Sequence, residues 1–177
     1  MTTTPPLALD RAAGLANTLA YWTLRLWLGL RALLAGLEKY AGRIREQVPL
    51  LDEFGEPDIN GAMVDVERKV YGLSHYAALP RSLADKLAAE PLMPGWALSL
   101  YSAALGPVLI LTGLTLLLGI APRITLFVMG LVYTTLSVGL ILMNESGGIA
   151  WLGIHVILVV AALRLVAHDR VALFSRW

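Results

Sequence analysis

The chain has 177 residues, of which 57% are apolar, and counting glycine in place of tyrosine gives about 63% against the ~45–50% usual for soluble domains. Fourteen Lys and Arg against 13 Asp and Glu leave a formal charge of +1, which excludes a strongly basic nucleic-acid binder. The absence of cysteine excludes disulfides, cysteine-held iron–sulfur clusters, thiol nucleophiles and CxxCH haem attachment.

In chain order, MTTTPPLALDRAAG is polar and Pro-bearing with no basic n-region, so no cleaved signal peptide is expected. A tail, with a brief surface helix from Leu9, leads to a retained anchor helix. That first crossing is expected over Thr18–Leu37, bracketed by Tyr21, Trp22 and Tyr40 as an aromatic belt. It contains Arg25 and Arg31, each costing ~2.5–3.5 kcal/mol near midplane on insertion scales. Arg25, Gly29, Ala32 and Gly36 fall on one helical face, where small residues permit close helix approach and Arg25 can snorkel to the inner head groups.

Residues 41–95 form the hydrophilic stretch, with 7 Lys or Arg and 10 Asp or Glu counted from Glu38. The segment LLDEFGEPDING marks turns. Met63, Val66, Val70 and Leu73 recur at spacings of three and four, which predicts a short amphipathic helix; its face would pack on the bundle, lie on lipid or bind a partner. SLADKLAAE predicts another helix, capped by Ser82.

Three uncharged runs of 32, 21 and 18 residues follow Glu90, separated by Arg123 and Glu145 and closed by Arg164. Each approaches the ~20 residues that carry a helix across the hydrocarbon layer. The expected crossings are 96–120, kinked at Pro107, then 124–143 after an APRI turn with Pro122 in the first helical turn, and 149–167. The fold class expected is all-α: a single-domain polytopic four-helix membrane bundle over residues 1–177, with a long external loop between its first two helices. Four crossings put both termini on one side. Arg11, Arg123, Arg164, Arg170 and Arg176 would mark that side as cytoplasmic, while Lys39, Arg43 and Arg45 weigh the other way.

Few residues within the crossings can carry chemistry. Arg31 needs an anion, carbonyls or water, and Glu38 or Glu145 could supply the anion; a bundle-holding salt bridge, a polar ligand cavity and a subunit contact are the readings. His155 could hydrogen-bond a ligand carbonyl, move a proton or cap a helix contact. Tyr133, Ser137 and Asn144 share a helical face that would form a seam towards Glu145, unless their polar groups are satisfied within the helix. His75 and His168 sit too far apart in the plan for a bis-histidine haem. GxGxxG after a strand, GxxxxGK[ST], HExxH and GxSxG are absent.

The stretch Arg25-Leu-Trp-Leu-Gly29 through Ala35-Gly36-Leu37-Glu38-Lys39-Tyr40 resembles the first helix of the DoxX/DoxD family of small membrane proteins. Gly106, Gly113-Leu114 and Leu118-Gly119-Ile120-Ala121-Pro122-Arg123 resemble its second helix and following turn. In length and first loop the chain is similar to the DoxD branch, large subunits of thiosulfate:quinone oxidoreductase. The resemblance implies a bacterial or archaeal inner-membrane subunit of a quinone-linked oxidoreductase, working with a second protein subunit among membrane lipids. Quinone would be the substrate, with no haem, iron–sulfur or metal site on this chain. Arg31 and His155 would carry the chemistry, with Arg25, Glu38, Lys39, Tyr133 and Glu145 about the quinone and Arg43 and Arg45 attracting the oxyanion. The alternatives are a non-catalytic accessory subunit of a larger respiratory or other membrane complex and, needing an internal repeat or oligomer, a small-molecule transporter.

Overall fold

Without water, a backbone satisfies its N–H and C=O groups most simply within a helix, and the long apolar runs adopt that solution. A computed structural model describes residues 6–51, 54–57 and 59–169. Its long helices are α1 (Pro6–Glu38), α3 (Gly95–Leu118), α4 (Pro122–Leu142) and α5 (Ser146–Leu165), with a short α2 (Arg81–Ala88). Single 3₁₀ turns cover Leu73–His75 and follow α5 at Val166–His168. Helices α3, α4 and α5 are each long and apolar enough to cross a membrane. Their outward faces are as apolar as their inward ones: Leu111, Phe127 and Ile157 are exposed while Leu116, Leu126 and Met129 are fully buried. A helix apolar all round suits a lipid surrounding. Helix α1 is longer, about 50 Å at 1.5 Å per residue, but carries Arg25 and Arg31.

The expected first crossing and the brief helix before it are one continuous α1. Arg170 and Arg176, counted above towards the inner side, lie outside the described residues.

Helix α1 packs most extensively on α3, and α4 on α5; the α3–α4 seam is looser. The α1–α3 contact rests on glycines, and α3 is the partner of the small-residue face expected on the first helix. A Cβ at Gly113 would come within 2.6 Å of the Leu33 backbone nitrogen, and one at Gly36 within 2.8 Å of the Ile110 nitrogen. Backbones this close leave no room for a side chain.

The all-α expectation needs correction, because residues 41–71 contain an antiparallel hairpin of β1 (Ala41–Pro49) and β2 (Met63–Tyr71). Val64, Val66 and Val70 also fit a period of two, and stiff β-branched side chains favour that reading once a partner strand exists. The partner is β1: Val48 faces Val64, Glu46 faces Val66 and Ile44 faces Arg68 on one side, while Arg43–Lys69 and Arg45–Glu67 pair on the other. Helix α2 starts at Arg81 with Pro80 at its N-cap position, so Ser82 lies inside the first turn and does not cap it.

Candidate functional site

Arg25 and Arg31 are six residues apart on α1, so they point about 120° apart around its axis at 3.6 residues per turn. Arg25 follows the buried stripe Tyr21, Leu28 and Ala32, and is itself 2% exposed. Its guanidinium donates from Nε to the Leu116 carbonyl at 2.8 Å and from Nη2 to that of Leu117 at 3.0 Å. Nη1 donates to both Asp169 oxygens at 3.0 and 3.1 Å, and the group lies 4.6 Å from the Trp22 ring centroid. Arg25 therefore bonds the last carbonyls of α3, that of Leu117 and, together with the Gly119 N–H, that of Leu116, where a cation also suits the helix dipole. The expected snorkelling to head groups is replaced by this buried ion pair.

Arg31 takes the other direction. With Ala35 and Lys39 it lines a cavity of about 150 Å³ completed by Leu105 and Leu109 of α3, Tyr133 and Leu136 of α4, and Leu152 and His155 of α5. Arg31 is exposed, which puts it at the rim. Arg31, Tyr133 and His155 lie seven to nine residues from the hairpin-side helix ends, roughly 10–14 Å in at 1.5 Å per residue, whereas Lys39 sits just past the end of α1.

His155 is 6% exposed, and its ring meets that of Tyr133 edge-on with centroids 5.3 Å apart. Its Nδ1 lies 2.8 Å from the Trp151 carbonyl. A carbonyl only accepts, so Nδ1 carries the hydrogen and the neutral ring presents a lone pair at Nε2. That Nε2 is buried without a partner among the described residues. The expectation that His155 donates to a ligand carbonyl therefore holds only for the protonated ring; the neutral one accepts.

The carboxylates expected to pair with Arg31 are engaged elsewhere. Glu38 accepts from Lys69 Nζ at 2.6 and 2.7 Å and from the Tyr71 hydroxyl at 3.0 Å, which holds its carboxyl below the usual range and raises the Lys69 ammonium. Glu145 pairs with Lys86 at 3.1 Å. Among the described residues neither Arg31 nor Lys39 has a carboxylate partner. Burial pushes the Lys39 ammonium below the ordinary lysine value. Arg43 and Arg45 both face Glu67, at 3.3 and 3.7 Å, so the expected oxyanion attraction meets a carboxylate already in place.

Of the predicted site, Arg31, Lys39, Tyr133 and His155 come together, while Arg25, Glu38, Glu145, Arg43 and Arg45 lie outside the cavity lining. The Tyr133–Ser137–Asn144 seam does not form: Ser137 donates to the Tyr133 carbonyl one turn back, and Asn144 takes the left-handed turn conformation at φ 56. Two residues escaped the sequence reading. Asp169 is the only acidic residue after Glu145, a signal that a buried cation near the same bundle end needed it. Tyr76 has no local signal; its hydroxyl accepts from the Gly106 N–H at 3.2 Å and donates to the Ser102 carbonyl at 2.5 Å, beside the Ala103 carbonyl that Pro107 cannot serve. The freed backbone expected at Pro107 thus finds its neighbour in the segment after the hairpin.

Among the described residues no three His, Asp or Glu side chains converge as metal ligands. Comparisons with family models, with curated proteins and with solved structures find no match to this chain.

Proposed function

We propose that this chain is a multi-pass subunit of a quinone-linked oxidoreductase in a bacterial or archaeal inner membrane, with α1 as a fourth crossing, and that the cavity receives a quinone or quinol ring. The observation that carries the reading is a buried, unpartnered Nε2 on His155, which lines the same small cavity as two cations without carboxylate partners. The resemblance of 25–40 and 106–123 to the DoxX/DoxD family supports the same class. The volume suits one ring, since an apolar cavity of about 150 Å³ holds benzene.

The chemistry follows from the donor inventory. A quinol hydroxyl donates to neutral His155 Nε2, while the second ring oxygen accepts from Arg31 or Lys39. In the reducing direction the ring takes two electrons and two protons. Protonated His155 delivers one proton to a ring oxygen and returns to the neutral form, and water at the Arg31 rim delivers the other. The cations stabilise negative charge that grows on the ring in a low-dielectric surrounding. Electrons come from a sulfur oxyanion such as thiosulfate, two of which join as tetrathionate, held on a partner subunit.

The test is the native complex purified in mild detergent with its co-migrating subunits. Arg31→Gln and His155→Ala should each lower quinone-dependent turnover by about tenfold or more, roughly 1.4 kcal/mol, with assembly intact. Wild-type turnover in both variants rejects the site. Loss of the chain from its complex favours the second reading, a non-catalytic accessory subunit. That reading has its own observation, the exposed Ile44, Val64 and Val66 beside the Glu46–Arg68 ion pair on one side of the hairpin.

A further inference from the structure

The ring cavity is not isolated from the bilayer face. A second space of about 350 Å³ runs between α3 and α4, lined by Trp96, Leu100, Leu105, Val128, Leu131 and Val132 among others. Leu105 lines both spaces, so one side chain separates the ring from the groove. The groove follows one of the two loosely packed seams of the bundle, the other being that of α1 with α5. Leu100 and Leu131 on its flanks are 63% and 50% exposed, so it opens on the face that lipid covers.

We propose that the ligand of the Arg31–His155 cavity is an amphiphile with a long apolar chain, that it enters sideways from the bilayer between α3 and α4, and that its chain lies in this groove. This rests on the ring-site reading and adds the entry route and the chain class. Charge argues for the division of labour: Arg31, Lys39 and His155 meet the polar head, whereas the groove is walled by Leu, Val and Trp. A chain in lipid is already in an apolar medium, so the groove adds little attraction. Its contribution is an exit, past the Leu105 side chain, for a chain attached to a ring held inside.

A competing exit exists. A space of about 240 Å³ under α2, lined by Leu83, Leu87 and Met143, touches the ring cavity through Leu136. Helix α2 roofs it, which makes it the less accessible route from lipid.

The experiment uses the full chain in phospholipid nanodiscs and measures equilibrium binding of a radiolabelled benzoquinol without a tail and of the same ring bearing a decyl tail. Leu100→Trp with Leu131→Trp fills the groove from exposed positions that carry no core packing. The double variant should bind the tailed ring about tenfold more weakly and the tail-less ring as wild type does. Unchanged affinity for the tailed ring overturns the groove, as does an equal loss for both rings. A loss caused by Leu83→Trp but not by the groove variant moves the chain under α2 and also overturns it. Wild-type protein that binds neither ring refutes the ring-site reading itself, an outcome separate from failure of the groove.

Discussion

Two arginines on one helix end in opposite chemical states. Arg25 has its donors engaged by Leu116, Leu117 and Asp169, and removing either charge leaves the other buried and uncompensated. Arg25→Met and Asp169→Asn should each destabilise the protein by about 3–5 kcal/mol in a detergent unfolding titration, and a change under 1 kcal/mol would show that the pair contributes little. Lys39 behaves differently because burial, not an anion, dominates its surroundings. Its folded value lies below 10.5, and it is charged only below that folded value. Affinity of the cavity for a ring anion should therefore decline as pH rises through a point below 10.5, and Lys39→Arg should remove that alkaline limb because guanidinium stays charged. A binding profile flat to pH 10.5 in the wild type would separate Lys39 from the ligand.

At the level of elements, α3 runs on through Pro107, and Gly106 and Tyr76 together serve the backbone beside it. Tyr76 stacks against Tyr40 with centroids 4.8 Å apart, which pins the segment after the hairpin to the end of α1. A Cβ on Gly106 would meet the Tyr76 ring at 2.6 Å, so this glycine is required by close approach and not by its backbone angles. Tyr76→Phe should cost about 1–3 kcal/mol by leaving the Gly106 N–H and Ser102 carbonyl without the bridging hydroxyl. Gly106→Ala should cost more, and combining it with Tyr76→Ala should recover part of the loss in a double-mutant cycle, because the clash is then gone. Full additivity of the two changes would break the proposed coupling. The hairpin illustrates a limit of periodicity: spacings of three and four in 63–73 and the alternation of valines are the same residues read twice. Pairing across the 13 residues between β1 and β2 decides between them.

For the whole molecule, the hydrogen bond of Asn17 with His168 and the Arg25–Asp169 pair bring the first half of α1 and the turn after α5 together at one end of the bundle, and the hairpin projects from the other. Applied to the short connections, the positive-inside rule predicts the chain ends on the cytoplasmic side and the hairpin outside. Because the chain has no cysteine, a single Asn60→Cys should react with a membrane-impermeant maleimide in intact cells, whereas a cysteine at Asn17 should react only after permeabilisation. The opposite pattern inverts the orientation. What the sequence by itself determined is the set of long helices, the turn at Gly119–Pro122, the small-residue face of α1 and the presence of Arg31, Tyr133 and His155 in the bundle, because these depend on length, hydropathy and residue size along one segment. Only the tertiary structure decided that Arg25 belongs to Asp169, that Glu38 and Glu145 are spent on Lys69 and Lys86, and that residues 63–71 form a strand. Each of those outcomes is a choice among partners distant in sequence, and such a choice depends on which side chains the packed helices and hairpin bring within hydrogen-bond reach.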